Sequence, residues 1–220
     1  METSLHRELK RVYAGSTEQT EIRLGRYRID AVRNDELIEI QHGSLSAIRD
    51  KIQKLTKEHA VRVVKPIVAR KRLIRLNRKN GKVVGERLSP KRGSLLDMFA
   101  ELVYFTRTFP HPNLTIEFAL VEVDELRYPG HGRRRWRRKN DHIVQDRRLV
   151  GIQEQHTFHT AADLTRVIPG RLPRPFHTGH LAEALNIPRP DAQRIAYCFR
   201  KMGTAKSVGK QGNAILYELI

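Results

Sequence analysis

The 220-residue sequence predicts an α/β protein in which a mixed β-sheet, flanked by helices, is followed by a smaller unit of two helices and a β-hairpin. Three observations support this prediction. Helical and strand-like hydrophobic patterns alternate through residue 128, a hairpin pattern surrounds Asn34, and a short turn at Ile187 joins two further helical patterns. Hydrophobic residues make up 39% of the chain, which is sufficient to build such cores without disulfides.

The first part of the chain begins with a helix and three strands. Leu5, Leu9 and Val12 recur at helical spacing and predict a helix over residues 4–13. Short apolar runs predict three strands, over residues 20–24, 27–32 and 37–41. Leu45, Ile48 and Ile52 then lie on one stripe of a second helix, and a buried strand follows at residues 61–68. A strand after a helical crossover tends to lie parallel in the same sheet, so we expect residues 61–68 to do so.

Three more elements complete this first part. The turn at Asn80-Gly81 separates two runs of a basic hairpin, residues 73–76 and 83–85. Residues 94–105 are apolar around much of a helical circumference and predict a buried helix. Residues 114–123 predict another strand. The simplest interpretation of all these apolar stretches is that they form the core.

The character of the sequence changes after residue 128. A basic linker is predicted at residues 129–142, and it separates a first domain, residues 1–128, from a second domain, residues 143–220. The second domain contains a helix ending at Leu185, a turn, and a longer helix that begins near Pro190. A hairpin with a basic tip follows. Helix, turn, helix and hairpin together predict a winged helix-turn-helix.

The hairpin around Asn34 places two acids on neighbouring strands. Asp30 lies on the first of these strands and Glu39 on the second. Side chains alternate across a strand, so burying Ile38 and Ile40 directs Glu39 and Gln41 to the other face. Two carboxylates on adjacent strands match the oxygen ligands that Mg²⁺ takes while keeping several waters. The sequence therefore predicts a metal site suited to phosphodiester cleavage.

This hairpin, with the helix before it and the helix and strand after it, resembles the PD-(D/E)XK nuclease superfamily over residues 1–68. The resemblance implies a restriction-endonuclease-like mixed sheet flanked by helices, with Asp30 and Glu39 as ligands of catalytic Mg²⁺ or Mn²⁺. Gln41 stands where the family usually has lysine, as in the E-X-Q variants of proteins similar to the competence factor CoiA. A glutamine can orient the attacking water but carries no charge. Glu8, on the first helix, is a further metal-ligand candidate, although a solvated carboxylate is the simpler interpretation.

The charge of the chain predicts a polyanionic partner. Lys and Arg number 42 against 24 Asp and Glu, for a net charge of +18 and a pI near 10.6, and DNA is the first candidate. No apolar run is long enough to span a membrane, and we expect no membrane partner and no secretion. The sequence contains no Gly-rich phosphate loop of the Walker type, so we expect no nucleotide cofactor. With the single Cys198, the sequence favours a cytoplasmic protein, nucleoid-associated if bacterial, whose oligomeric state stays open.

Several groups of residues are candidates for contacting DNA. On the second predicted helix, Arg49 shares a face with Gln53 and is a candidate for a phosphate. In the basic run, the candidates are Arg133, Arg134, Arg135, Trp136, Arg137 and Arg138, and the tryptophan suits stacking on a base. In the winged helix, Arg189, Gln193 and Arg194 suit groove reading, and Lys206 and Lys210 suit phosphate contacts. A solvated surface, a disordered linker and a protein-binding module are the respective alternatives.

The leading hypothesis is a metal-dependent DNA endonuclease that combines these two units. The first alternative is a non-catalytic DNA-binding regulator with an inactive nuclease-like scaffold, and Gln41 is its best argument. A basic protein that associates with RNA is a third possibility. The histidine pairs His156/His159 and His177/His180 do not predict a zinc site. No cysteine lies near them in the sequence, and no predicted arrangement of strands and helices brings the two pairs together.

Overall fold

The computed structural model describes residues 3–14, 20–130 and 142–220, which form a mixed α/β fold with a seven-stranded mixed sheet flanked by helices. The predicted α/β class is confirmed at this level. The helices are α1 (Ser4–Ala14), α2 (Arg49–Leu55), α3 (Met98–Leu102), α4 (Thr178–Leu185) and α5 (Arg189–Lys201). The strands are β1 (Thr20–Leu24), β2 (Tyr27–Arg33), β3 (Glu36–Ile40), β4 (Val61–Leu76), β5 (Val83–Leu88), β6 (Leu114–Pro129), β7 (His142–Phe158), β8 (Ala205–Gln211) and β9 (Ala214–Leu219).

The large sheet has the order β1-β2-β3-β4-β6-β7, and β5 pairs with the outer part of β4. Strands β1, β2 and β3 pair antiparallel, whereas β3, β4 and β6 run parallel to one another. The strand predicted after the second helix is therefore parallel in the same sheet, as expected. It continues eight residues beyond the predicted end at residue 68, because β4 extends to Leu76.

The β2–β3 turn has the conformation that its residues favour. Arg33 pairs with Glu36, and the two residues between them, Asn34 and Asp35, have positive φ angles of 51° and 60°. Asn and Asp tolerate this left-handed conformation better than other residues with a side chain. Two consecutive residues of this kind are typical of the tight turn that matches strand twist in a hairpin.

Helices cover both faces of the sheet. Helix α1 packs Leu5 and Leu9 on one face, against a cluster that includes Ile38 and Val64. Helices α2 and α3 pack on the other face, in a larger cluster that includes Val63 of β4. The neighbours Val63 and Val64 point to opposite faces, so the central strands are buried on both sides, as parallel strands usually are.

Strand β7 requires a correction to the predicted domain boundaries. It pairs antiparallel with β6 from Pro129↔His142 to Ile116↔Phe158, so residues 143–158 belong to the first sheet and not to a second domain. Most of its side chains are exposed or half-buried, because β7 is an edge strand. Its sequence therefore lacks the apolar run that signals a strand. Within the predicted linker 129–142, residues 131–141 lie outside the described part of the chain.

The C-terminal elements follow the predicted order of helix, turn, helix and hairpin. Helices α4 and α5 are followed by β8 and β9, which pair antiparallel. Phe176 forms an additional bridge to Tyr217 of β9, through backbone hydrogen bonds of 2.9 and 2.7 Å. The predicted helix at residues 94–105 is shorter than expected, since only Met98–Leu102 is α-helical after a 3₁₀ turn.

The C-terminal unit shares one core with the large sheet. Phe199 of α5 meets Phe99 of α3 edge to face, with ring centroids 5.8 Å apart, and neither side chain is exposed by more than 1%. The same buried cluster runs from Ile29 through Phe118 to Tyr217. Helix α5 is therefore fixed relative to the sheet by apolar packing. Within the described residues, no helix has the length and apolar composition needed to cross a membrane.

Candidate functional site

Asp30 and Glu39 lie beside each other on the neighbouring strands β2 and β3. The backbone amide of Ile40 donates a 2.9 Å hydrogen bond to Asp30 Oδ2. In return, the backbone amide of Asp30 donates to the Glu39 carboxylate. These reciprocal bonds fix each acid to the strand that carries the other. The predicted placement on adjacent strands is confirmed.

The Asp30 carboxylate is held by side chains of helix α1. His6 Nε2 lies 3.3 Å from Asp30 Oδ2, and Lys10 Nζ lies 3.6 Å from Oδ1. Burial alone would raise the pKa of Asp30, but the hydrogen bonds from His6 and the Ile40 amide, with the positive charge of Lys10, hold it below its usual value. Asp30 is therefore ionised at neutral pH.

The Glu39 carboxylate is held from the other side, by helix α2. Lys51 Nζ lies 2.5 Å from Glu39 Oε1 and also donates a 2.6 Å hydrogen bond to the carbonyl of Arg28. Only 6% of the Glu39 side chain is exposed. Burial raises the pKa of Glu39 to about 7, and the nearby Asp30 charge adds to this, although Lys51 opposes both effects. Two adjacent carboxylates with pKa values displaced in opposite directions are typical of functional sites.

The two acids have partners on opposite faces of the sheet. Helix α1, which supplies Lys10 and His6, packs on the face of Val64, and helix α2, which supplies Lys51, packs on the face of Val63. The part of the chain that the structure describes contains no group of three or more His, Cys, Asp and Glu side chains arranged to hold a metal ion. Carboxylate oxygens are the ligands that a hard cation such as Mg²⁺ takes, and such an ion keeps several waters. Burial raises the pKa of Glu39 in spite of Lys51, so a cation bound there would favour its ionised form.

The other two predicted site residues have their polar atoms engaged elsewhere. Gln41 Nε2 donates a 2.7 Å hydrogen bond to the carbonyl of Ser44, so its amide is committed to the loop after β3. Glu8 Oε2 accepts a 2.6 Å hydrogen bond from the backbone amide of Leu149 and so ties α1 to β7. Neither residue contacts the acid pair through these bonds, and their catalytic and metal-binding roles stay predictions.

The loop after β3 brings a third group to the pair. The His42 ring meets the His6 ring edge to face, with centroids 5.5 Å apart. Burial, with the positive charges of His6, Lys65 and Arg147 nearby, lowers the pKa of His42 to about 4. Lys65 fixes this loop, since its Nζ donates to the carbonyl of His42 at 3.1 Å and also pairs with Glu101 Oε1 at 3.1 Å. His42 is therefore a neutral, positioned imidazole at neutral pH.

Sequence reasoning missed the cations around the acid pair. Lys51 was visible only as one of many basic residues on an amphipathic helix, and Lys10 is a polar residue that the packing of α1 buries. Their contacts with Asp30 and Glu39 depend on how the two helices pack on opposite faces of the sheet. A usable signal was spacing: His6 and Lys10 are four residues apart and share one helix face.

The residues predicted to contact nucleic acid are exposed where the structure describes them, although some of them have partners within the chain. Arg49 is half exposed and lies 3.5 Å from Asp50 Oδ1, and the amide of Gln53 donates to Thr108 Oγ1 at 3.1 Å. The candidates of the basic run lie outside the described residues. In the C-terminal unit, Lys206 and Lys210 are both exposed, and Lys206 Nζ lies 3.5 Å from Glu218 Oε2.

Helix α5 presents one continuous exposed stripe. The buried residues Ala192, Ile195, Ala196, Cys198 and Phe199 cover one side of the helix. The exposed residues occupy the rest: Arg189, Gln193, Arg194, Tyr197, Arg200 and Lys201. Arg194 Nη1 is engaged with Asp191 of the same helix. Tyr197 is the exposed aromatic residue within this basic stripe.

Comparison with known proteins assigns the chain to a group without a known activity. A family model described as "Domain of unknown function (DUF8091)" matches residues 3–159, which is more than half of the chain and ends within one residue of the end of β7. An uncharacterized protein from Treponema pallidum (strain Nichols) is 27% identical over 219 residues, which cover 98% of this chain and 84% of that protein. No solved structure matches the chain.

Proposed function

We propose that this chain, which belongs to the family described as Domain of unknown function (DUF8091), is a Mg²⁺- or Mn²⁺-dependent DNA endonuclease with a winged-helix DNA-binding unit. The pair of Asp30 and Glu39 carries this proposal, because reciprocal hydrogen bonds hold the two carboxylates on adjacent strands. The order of helix, three strands, helix and parallel strand supports it further. This is the order on which the resemblance to PD-(D/E)XK nucleases rests.

In this proposal Asp30 and Glu39 hold the metal ion. When bound, the ion lowers the pKa of a coordinated water and offsets negative charge on the phosphate. Lys51 provides fixed positive charge beside Glu39, so we assign to it the stabilisation of charge that develops during cleavage. The E-X-Q pattern implies that Gln41 orients the nucleophilic water. To do so, its amide must first break the hydrogen bond to the carbonyl of Ser44.

The exposed stripe of α5 supports the DNA-binding part of the proposal. Arg189, Gln193 and Arg200 lie on one side of the helix, and Arg and Gln are side chains that read base edges in the major groove. The hairpin β8–β9 carries Lys210 near its tip, where a wing meets phosphates. The bridge between Phe176 and Tyr217 extends this hairpin in the way a small winged-helix sheet requires.

The proposal is tested by cleavage assays with single substitutions. Asp30→Asn and Glu39→Gln remove a ligand charge with little change in shape, and each should slow cleavage at least about 100-fold, equivalent to about 3 kcal/mol in activation free energy. The substrates are supercoiled plasmid, linear duplex, single-stranded and branched DNA, with Mg²⁺, Mn²⁺ or EDTA. The matched control is Asp50→Asn on α2, because the Asp50 side chain is 84% exposed.

Three outcomes separate the possibilities. Loss of cleavage in both acid variants, with full activity in the Asp50→Asn control, supports the mechanism. If either acid variant cuts DNA as fast as the parent, the metal assignment is wrong. If the parent cuts none of the substrates with either metal, the nuclease proposal fails as a whole.

A second candidate function is a non-catalytic DNA-binding regulator. Gln41 is bonded to Ser44, and a lysine already lies beside each acid, which favours a structural role for the pair. A regulator should bind DNA equally well in EDTA, with affinity that falls steeply as salt rises, and should leave no nicks. Competition between structured RNA and duplex DNA for the parent protein tests the third possibility, an RNA partner.

A further inference from the structure

The sheet extends beyond the core, and its distal end contains an open cleft. The outer halves of β4, β5 and β6, with the start of β7, surround a cavity of about 570 Å³. We call this the distal cleft. Its lining includes Leu73, Arg75, Gly85, Arg87, Arg127 and Pro129. A volume of this size is within the range of pockets that take small organic ligands.

Strand register brings three guanidinium groups to one face of the distal cleft. Arg75 of β4 lies opposite Gly85 of β5 and beside Arg127 of β6. Two residues earlier, Leu73 lies opposite Arg87. Paired residues share a face, and residues two apart on a strand share it too. Arg75, Arg87 and Arg127 therefore lie on the same side of three adjacent strands.

Two of the three arginines of the distal cleft differ from the neighbouring arginines in how their charge is neutralised. Arg72 pairs with Asp124 at 2.6 Å, and Arg70 lies 3.5 Å from Glu122. Arg127 is engaged with the buried Glu125. By contrast, among the residues that the structure describes, no ion pair involves Arg75 or Arg87, and both are exposed. Two uncompensated cations at a concave site indicate an anionic ligand.

The rest of the lining indicates what the anion is attached to. Leu73 is buried and forms an apolar floor, Pro129 is exposed and lies two residues after Arg127 on the same face, and Gly85 adds no side chain to the space opposite Arg75. Unstacked bases can pack on such apolar surfaces while basic groups hold the backbone. A duplex offers phosphates to this site but keeps its bases stacked inside, so it would leave the floor empty.

We propose that the distal cleft binds a nucleotide unit of a single-stranded nucleic acid, with a phosphate at Arg75 and Arg87 and the base against Leu73 and Pro129. The inference rests on the proposed nucleic-acid function and adds a second binding site, on the sheet, to the one on α5. A strand held here and a duplex held by α5 would together select substrates that contain both. The chemistry recognised is that of a nucleoside phosphate, from a strand or from a free nucleotide.

The test measures binding in EDTA, so it does not depend on catalysis. The probe is a fluorescent oligo-dT of 15 nucleotides. Its affinity is measured by fluorescence anisotropy at several salt concentrations. Arg75→Ala/Arg87→Ala should weaken its binding at least about 10-fold and lower the slope of log affinity against log salt by about 0.7, because the two arginines hold one phosphate and each single-strand phosphate contributes about 0.7. The matched control, Arg23→Ala/Lys57→Ala, removes two exposed charges elsewhere and should change the affinity less than about 3-fold.

A second variant tests shape without removing charge. Gly85→Phe fills the floor of the distal cleft, and its Cβ is accommodated because the nearest atom, Arg75 Nη2, is 3.9 Å away. This variant should weaken oligo-dT binding about 10-fold and leave binding of a 20-base-pair duplex unchanged. Thermal melting of each variant checks that it remains folded. Duplex binding provides the same check from the α5 side.

The outcomes decide between sources and between proposals. If the double-arginine variant and its control lose equal affinity, or if Gly85→Phe binds oligo-dT as the parent does, the cleft assignment is overturned. Competition by 5′-AMP as strong as that by unlabelled oligo-dT overturns the strand assignment in favour of a free nucleotide. A parent that cuts no DNA but shows the expected binding losses keeps this inference and loses the nuclease proposal. If the parent cuts DNA in a reaction that needs Asp30, but the variants show no loss of oligo-dT binding, the nuclease proposal stands and the distal-cleft inference is wrong.

Discussion

The two halves of strands β4 and β6 differ in what surrounds them. In the proximal half, up to Val68 and Val121, apolar side chains are buried on both faces, and Ile116, Phe118 and Ala119 have no exposed surface. In the distal half, beyond the bulge between Val68 and Arg70, charged pairs replace much of this core. The small cluster of Ile74, Leu76 and Leu126 is what remains of it.

This difference separates a packed scaffold from a charged region within one sheet. The proximal half carries the packing that holds β3, and therefore Glu39, in place. In the distal half charged side chains are held by one another, and the buried Glu125 carboxylate is surrounded by Lys71, Arg127 and Arg147. The free energy of unfolding should therefore be sensitive to side-chain volume in the proximal half and to the balance of charges in the distal half.

The largest effect is expected from a cavity in the proximal half. Phe118 is fully buried and meets Phe158 of β7 edge to face at 5.9 Å, so Phe118→Ala should lower the free energy of unfolding by about 4 kcal/mol. Leu126→Ala, in the small distal cluster, should cost about 2 kcal/mol. Urea denaturation of both variants measures the difference. Equal losses would show that the two halves are packed equally well.

A smaller effect is expected from the distal charge cluster, and it depends on pH. Only 1% of the Glu125 side chain is exposed, and Glu125→Gln leaves three cations without their shared anion, which should cost about 3 kcal/mol at pH 7. Hydrogen bonds from Arg127 and Arg147 hold the pKa of Glu125 below its usual value, against the effect of burial. A lowered pKa stabilises the fold above the ordinary glutamate range, and this contribution is lost as pH falls through the folded value.

The difference between the parent and Glu125→Gln should therefore shrink steadily below about pH 4.5. Denaturation at pH 7, 5, 4 and 3 measures it. The control is Glu122→Gln, whose side chain is 26% exposed and whose ion pair with Arg70 should contribute less than about 1 kcal/mol at every pH. A difference that does not change between pH 7 and pH 3 would contradict the assigned role of the Glu125 charge.

The smallest effect is expected at the junction of the two halves. The amide of Gly93 donates a 3.0 Å hydrogen bond to the carbonyl of Val68 at the bulge, and a Cβ at Gly93 would lie only 2.7 Å from that oxygen. Gly93→Ala should therefore cost about 2 kcal/mol, as overpacking does elsewhere. Gly151→Ala on β7 is the control, because nothing lies within 4 Å of its Cβ position. Equal melting temperatures for the two variants would remove the bulge from this account.

Elements with strong local signals were predictable from the sequence. Helix α1 follows from the spacing of its apolar residues, and the β2–β3 turn follows from Asn34 and Asp35, whose positive φ angles suit those residues. The neighbouring positions of Asp30 and Glu39 follow directly from that turn, because a hairpin fixes its own register.

Other features depend on contacts between distant parts of the chain. Strand β7 has few buried side chains and pairs with β6 at the sheet edge, so no hydrophobic period marks it. Lys51 and Lys10 reach the acids only because α2 and α1 cover opposite faces of the sheet. The three arginines of the distal cleft are far apart in sequence and meet through the register of β4, β5 and β6.

The contact between Phe99 and Phe199 has a practical consequence for dividing the chain. The family match ends at residue 159, and a fragment cut there would retain every strand of the large sheet but lose α5. Phe99 would then lose the Phe199 ring that packs on it and would expose apolar surface to water. Such a fragment is expected to self-associate or precipitate. Biochemical experiments that address the sheet should therefore use a protein that retains residues 160–220.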